Sequence, residues 1–463
     1  MDSLKNIFKV PELRKRIFFT FGLLAVYRVG SHIPTPGVNT DALAVLAEQA
    51  SKNTMLGLYD MFSGRNLSQM TIFALGVMPY ISASIILQLL TVVWPYLERL
   101  SKEGELGRRK ITQYTRYGTI LLSLVQSAGI ALYLEKVTNL QGGMMLVYNP
   151  GWSFRLMTVL TLTTGSVFVM WLGEQITERG IGNGMSLLIY AGIVVGFPRG
   201  VLSTLEQLQT NQIGLITLAV LVVMMVAVVG AIVFMERAQR RVTVQYARRM
   251  VGRRMYGGAS THIPLKVNTG GVMPVIFASS ILAFPATILT MTSKAGGTLA
   301  NVAAQIAPGY PLYTLLDMIL IIFFAYFYTA IIFNPDDVAE NMRKYGGFVP
   351  GIRPGKRTAE HIDGILARIT LVGALYLVAV ALLPELLTNG FHVAPIPVIG
   401  ERLNDVLPQF FTQGLHVQFY FGGTSLLILV GVSMDTVQQV ESQLIMRHYD
   451  GFMKKTRIRG RRS

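Results

Sequence analysis

Apolar stretches separated by short polar, glycine- and proline-bearing connections recur along the whole chain. One of them, Ile213 to Met235, runs 23 residues without a charge and is followed by Arg237, Arg240 and Arg241. A helix of about 20 apolar residues crosses the ~30 Å hydrocarbon core of a bilayer. The repetition of such runs therefore predicts a polytopic membrane protein. The pattern yields ten spans, at 17–34, 71–93, 118–137, 154–173, 184–202, 213–235, 271–292, 311–333, 367–387 and 418–437. The expected fold class is all-α, with ten transmembrane helices.

The placement of charge gives this pattern a direction. With the N-terminus assigned to the cytoplasm, 32 Lys and Arg fall on cytoplasmic segments, and only Lys52, Arg65, Lys136, Arg199, Lys294 and Arg402 on the other side. That asymmetry fits the positive-inside rule, and an even number of spans puts both termini in the cytoplasm. The net charge of +16, which alone suggests a nucleic-acid binder, thus describes topology. Only 14% of the residues are charged, against about a quarter in soluble domains. The absence of cysteine excludes disulfides, iron–sulfur clusters and thiol catalysis. The first span has a basic flank (Lys5 to Arg16) and an apolar centre (Phe18 to Val26), as a signal peptide would. No small-residue cleavage site follows, so it is expected to be retained.

Four connections carry more than topology. In the basic loop 236–270, Val242, Val244 and Tyr246 alternate with polar residues before Gly252, which predicts a β-hairpin with arginines at its tip. Such a hairpin suits docking onto an acidic protein surface or RNA phosphate, while a merely solvated basic loop is the plainer alternative. Loop 334–366 contains FVPGIRPGKRT (348–358), whose prolines and glycines predict a fixed turn holding Arg353. The tail from Lys454 to Arg462 suits anionic lipid headgroups as well as a protein partner. Residues 54–70 are apolar at Leu56, Met61 and Phe62 but are interrupted by Asp60, Ser63, Gly64 and Arg65. They predict a short, non-spanning, re-entrant element.

Chemistry at depth is sparse. There is no His-Glu-x-x-His pair, Gly-x-Ser-Gly or Gly-x-Gly-Asp, and the six histidines are scattered. The glycine-rich GIGNG (180–184) lacks a phosphate-binding lysine and reads as the start of a span. Asp317 is the only acidic residue near mid-span, and Arg28 is placed to snorkel to the interface. An ion-coupled transporter would bury more ionisable groups, and a membrane enzyme would need a catalytic constellation. What the spans offer instead is aliphatic residues one turn apart, such as Ile81 and Ile85. Such stripes serve ordinary helix packing or, where several converge, a hydrophobic constriction that gates by excluding water.

The loops and spans together resemble a known family. FALGVMPYISASIILQLL (73–90), GRRKITQYTRYG (107–118), GEQITERGIGNG (173–184), STHIPLKVN (260–268), GVMPVIFASSILAFPAT (271–287), FVPGIRPG (348–355) and YFGGTSLLI (420–428) are similar to bacterial SecY, the channel subunit of the Sec protein translocase. The resemblance covers nearly the whole chain. It implies a protein-conducting channel of two pseudo-symmetric five-helix halves around a central pore, at 1–204 and 205–440, followed by a basic cytoplasmic tail at 441–463. It implies no catalysis and no cofactor. The family's pore ring falls on Ile81, Ile85, Met185, Ile189, Ile276 and Ile428. Its plug falls on segment 54–66, with Leu56, Leu58, Tyr59, Met61, Phe62, Ser63 and Gly64. Spans two, three, seven and eight correspond to the lateral gate, lined by Gln88, Thr91 and Gln126. Arg353, with Arg248, Arg249, Arg253 and Arg254, falls on the loops that dock a motor or ribosome. The implied partners are SecE-like and SecG-like small membrane subunits, the SecA motor ATPase, the ribosome through its RNA phosphates and proteins, signal-sequence-bearing precursors, and membrane lipids. The chain has no nucleotide-binding loop, so a partner or the membrane potential must supply energy. The implied location is the inner (cytoplasmic) membrane.

Overall fold

The computed structural model describes residues 10–40, 42–43, 60, 63–136, 145–210, 213–246, 249–251, 254–256, 260–292, 310–389 and 423–455. By internal contacts the chain divides into two compact units. One comprises Met1–Val201, Ala283–Ala303 and Val432–Ser463, the other Leu202–Leu282 and Ala304–Gly431.

In the first unit, helix α1 (Pro11–Gly30) starts earlier than the apolar run predicts. Pro11 occupies its first turn, where a missing N–H costs nothing, so the helix takes in Arg14, Lys15 and Arg16 of the basic flank, while Lys5 lies outside the described residues. Helix α2 (Met78–Val93) starts later than the predicted 71. Residues 72–77 form turns, Gly76 sits at φ 55°, and Pro79 opens the helix. At Trp94 the backbone becomes extended, as a residue preceding proline prefers, and α3 (Pro95–Lys102) leaves α2 at 98°.

Helix α4 (Glu105–Lys136) packs on α2, where Gly118 admits Ala83, and on α5 (Trp152–Arg179). Two ion pairs join α4 to α5: Arg116–Glu174 at 2.8 Å and Arg155–Glu135 at 2.7 Å. The rings of Tyr27, Phe73, Phe168 and Trp171 stack in series from α1 to α5. Helix α6 (Gly184–Gln209) begins as expected after the glycine-rich loop. Gly182 adopts φ 84°, and Asn183 Oδ1 accepts from the N–H groups of Met185 and Ser186.

The second unit holds α7 (Leu215–Arg237), β1 (Gln239–Tyr246), β2 (Arg249–Val251), β3 (Arg254–Tyr256) and β4 (Ser260–Lys266). It continues with the first part of α8 (Met273–Thr292), then α9 (Pro311–Ile332), α10 (Pro335–Lys344), β5 (Gly347–Phe348) and α11 (Lys356–Asn389). Helix α12 (Gly423–Lys455) begins here and carries on through the residues expected to start the tail. The aliphatic face of α7 is open, with Ile216 82% and Phe234 73% exposed, as a lipid-facing helix requires.

Among the described residues six helices are long and apolar enough to cross a membrane, or seven if the bent α2–α3 pair forms one span. The protein is thus a helical, multi-span membrane protein. The segment 334–366, read as loop, contains the ten-residue helix α10. Its start is capped by Asn334, whose side chain accepts from the N–H of Asp336.

Candidate functional site

The six aliphatic positions singled out for the ring are all buried. Exposure is 5% at Ile81, 1% at Ile85, 9% at Met185, 2% at Ile189, 2% at Ile276 and 0% at Ile428. In the first unit they form two pairs, Ile81 and Ile85 on α2 and Met185 and Ile189 on α6, each one turn apart on a single helical face. Gly173 on α5 leaves room for the Met185 thioether, which any Cβ there would strike. In the second unit Ile276 lies in the first turn of α8 and Ile428 in the second turn of α12.

Of the segment expected to be non-spanning, Asp60 and 63–70 are described, whereas Leu56, Leu58, Tyr59, Met61 and Phe62 lie outside the described residues. Residues 63–70 fold as tight turns anchored to α1. Tyr27 Oη donates to the Ser63 carbonyl at 3.1 Å, and Asn66 Nδ2 donates to both that carbonyl at 2.6 Å and Tyr27 Oη at 3.1 Å. Tyr27, Ser63 and Asn66 are 3%, 0% and 1% exposed, so these bonds are made away from water.

Ser63 Oγ donates to the Asp60 carbonyl, and the Asp60 carboxylate accepts from Ser68 N–H at 2.8 Å. Burial pushes the Asp60 carboxyl above the usual aspartate range, against the opposing pull of the Ser68 bonds and Arg65. Gly64 must be glycine on two counts. Its φ is 72°, and a Cβ would lie 2.7 Å from the Cα of Gly192 on α6. Nothing in the sequence pattern pointed to Tyr27 and Asn66 as partners, because they lie 39 residues apart on different elements.

The gate candidates lie on the packed pair α2 and α4. Gln88 Nε2 donates to Ser84 Oγ at 3.1 Å, and Thr91 Oγ1 donates to the Gln88 carbonyl at 2.6 Å. The amide oxygens of Gln88 and Gln126 are buried with no hydrogen-bond partner among the described residues. A buried polar atom without a partner is costly, so these two side chains hold polar capacity that the described structure does not use.

The basic surface is better built than its sequence reading. The expected hairpin is there, but in two tiers. β1 pairs with β4 in antiparallel register (Val242 opposite Ile263, Val244 opposite Thr261), and β2 pairs with β3 beyond them (Val251 opposite Arg254). A third strand, β5, joins the outer edge of β1, with Gln245 opposite Phe348.

The alternation along β1 puts Val242 and Val244 inward and leaves Arg240 and Arg241 exposed. Val242, Val244, Leu265, Met342, Val349, Ile362 and Ile369 form one buried cluster. It therefore ties the sheet, α10, the Arg353 loop and α11 into a single body. Arg353 is exposed on a turn pinned on both sides. Gly351 and Gly355 adopt φ 82° and 107°, and the Arg353 carbonyl accepts from Thr358 Oγ1 at 2.9 Å. Arg249 and Arg254 lie on β2 and β3, while Arg248 and Arg253 lie outside the described residues.

The fold is that of a protein-conducting channel. A solved structure described as "a protein conducting channel" superposes with a TM-score of 0.62 at 16% identity, covering 93% of this chain and 92% of that one. Sec61 in a canine ribosome–channel complex gives 0.59 at 16% identity, with the same coverage. The SecY family profile matches residues 71–437. The chain is 49% identical over 453 residues to the protein translocase subunit SecY of Escherichia coli K12, covering 97% of this chain and 96% of that protein. It is 47% identical over 456 residues to that of Streptomyces griseus, covering 98% and 99%. The chain belongs to the SecY family. Members are channel subunits that move protein across a membrane, and they are not enzymes in themselves.

Proposed function

We propose that this chain passes unfolded secretory polypeptides across the cytoplasmic membrane through a pore between two pseudo-symmetric five-helix halves, 1–204 and 205–440, with ten spans and both termini cytoplasmic. Ile81, Ile85, Met185, Ile189, Ile276 and Ile428 close the pore as a ring, segment 54–66 plugs it from outside, and apolar segments leave past Gln88, Thr91 and Gln126. The docking surface is Arg353 with Arg248, Arg249, Arg253 and Arg254, and it receives a SecA-type motor or a ribosome. SecE-like and SecG-like subunits complete the complex. Ribosome docking draws support from the fold likeness to Sec61 in a canine ribosome–channel complex.

The physical problem is to carry a polar backbone through hydrocarbon, where each unpaired backbone group costs several kcal/mol, without leaving a path for ions. An aliphatic ring meets both demands, because it dewets when empty and closes on any side chain when full. Sorting follows hydrophobicity. Each central Leu or Ile favours the bilayer by roughly 0.5 kcal/mol, and each Lys or Asp opposes it by about 3 kcal/mol. The observation that carries the reading is the pair of buried apolar steps, Ile81/Ile85 and Met185/Ile189, within a chain of this family. Ile81→Asn with Ile276→Asn is expected to hydrate the ring, raise ion conductance and relax selection for signal sequences. Unchanged conductance together with unchanged rejection of signal-less precursors would remove the ring assignment.

A further inference from the structure

The end of α7 and the start of α8 meet at a buried polar joint. Asn268 Nδ2 donates to Glu236 Oε1 at 2.7 Å and to the Gly271 carbonyl at 3.0 Å. Glu236 is 5% and Asn268 6% exposed. Removing the Asn268 amide would leave a buried carboxylate oxygen without this donor, a costly arrangement away from water.

Three elements converge there. Glu236 is the penultimate residue of α7, and two residues on, the Ala238 carbonyl accepts from Val267 N–H at 3.0 Å, closing the base of the β1–β4 sheet. Asn268 follows directly, and Gly271, at φ 57°, then turns the chain into α8, five residues before Ile276. From the other side α11, the helix that continues from the Arg353 turn, brings its backbone against the same point. A Cβ on Gly373 would stand 2.6 Å from the Val267 carbonyl oxygen. One turn further along α11, the Tyr376 hydroxyl is buried with no hydrogen-bond partner among the described residues, within electrostatic reach of Glu236.

We infer that Glu236 and Asn268 form the joint through which a partner docked on the arginine-bearing sheet and the Arg353 turn displaces α8 and its ring residue Ile276, with Tyr376 taking up the Glu236 carboxylate when Asn268 moves away. The inference rests on the docking and ring assignments proposed above. The common core of the sheet and the α11 base makes them move as one body, and α8 is attached to that body through Asn268. With Asn268 engaged and the Tyr376 hydroxyl idle, the Glu236 carboxylate has two discrete arrangements open to it, as a switch element requires. Glu236, Asn268 and Tyr376 are positioning residues, acting on Ile276 through the backbone between.

The test uses the full complex in proteoliposomes with a SecA-type motor. It measures motor affinity and motor-driven precursor translocation separately for Asn268→Ala, Glu236→Gln and Tyr376→Phe. Couplings of this kind amount to about 5- to 150-fold, and Asn268→Ala is expected to lower translocation about ten-fold at unchanged motor affinity. Glu236→Gln keeps an oxygen that accepts from Asn268 and is expected to retain most activity. Tyr376→Phe loses no hydrogen bond among the described residues, so a purely structural role would leave it neutral; it is expected to slow translocation with folding intact. Normal translocation in both Asn268→Ala and Tyr376→Phe would overturn the joint. If Arg353→Glu left motor affinity unchanged, the docking assignment would fail instead, which the separate affinity measurement distinguishes.

Discussion

Replacing Tyr27 by Phe and Asn66 by Ala tests what holds the segment after residue 62 in place. Tyr27→Phe alone removes one hydrogen bond to the Ser63 carbonyl and leaves the 2.6 Å bond from Asn66. Such a bond contributes about 1 kcal/mol net. The double change removes all three bonds and leaves the Ser63 carbonyl, in a residue 0% exposed, without either side-chain donor. Stranding a buried acceptor costs about 1–3 kcal/mol, so the pair should weaken the anchored arrangement by about 3 kcal/mol. At 1.4 kcal/mol per decade that raises the population of the released segment about 100-fold.

The readout is the fraction of time single channels conduct in a planar bilayer without motor or precursor. It should rise modestly for Tyr27→Phe and by about two decades for the pair. A double variant, inserted at normal levels, whose resting conductance matched that of the unaltered chain would refute the anchoring role.

Gly64→Ala adds a Cβ 2.7 Å from Gly192 Cα at a φ of 72°. The left-handed conformation alone costs about 1–2 kcal/mol, so resting leak should increase; a tight membrane would show that Gly64 and Gly192 separate freely. The Asp60 carboxyl is raised above 3.8 by burial. Protonation therefore favours the folded segment, whose stability falls as pH rises from 3.8 through the raised value and is flat above it. Asp60→Asn should abolish that slope in leak against pH, and an unaltered slope would assign it to another group.

How much of this was readable in advance differs from element to element. Periodicity located α4 to α7 and α9, because lipid demands long uncharged runs. It misjudged the start of α2, where Gly76 and Pro79 outweigh the apolar character of 72–77. Alternation at Val242 and Val244 announced a strand. Its second partner, β5, lies about 100 residues away and no local pattern predicts it. Arg353 was legible because Pro and Gly fix its turn. Met342, Val349 and Ile362, which make that turn part of a rigid body, are ordinary apolar residues until the fold brings them together. The pairings Tyr27–Asn66 and Glu236–Asn268 were illegible for the same reason: each joins polar residues more than 30 positions apart.

Transport of a polypeptide is the central claim, and reconstitution tests it most directly. The chain is placed in liposomes with a SecE-like subunit, a SecA-type motor and ATP, and protease protection of an unfolded secretory precursor is measured. ATP-dependent protection that disappears with Arg353→Glu, at unchanged insertion of the channel, is the predicted result. No protection with every subunit present and inserted would contradict the account.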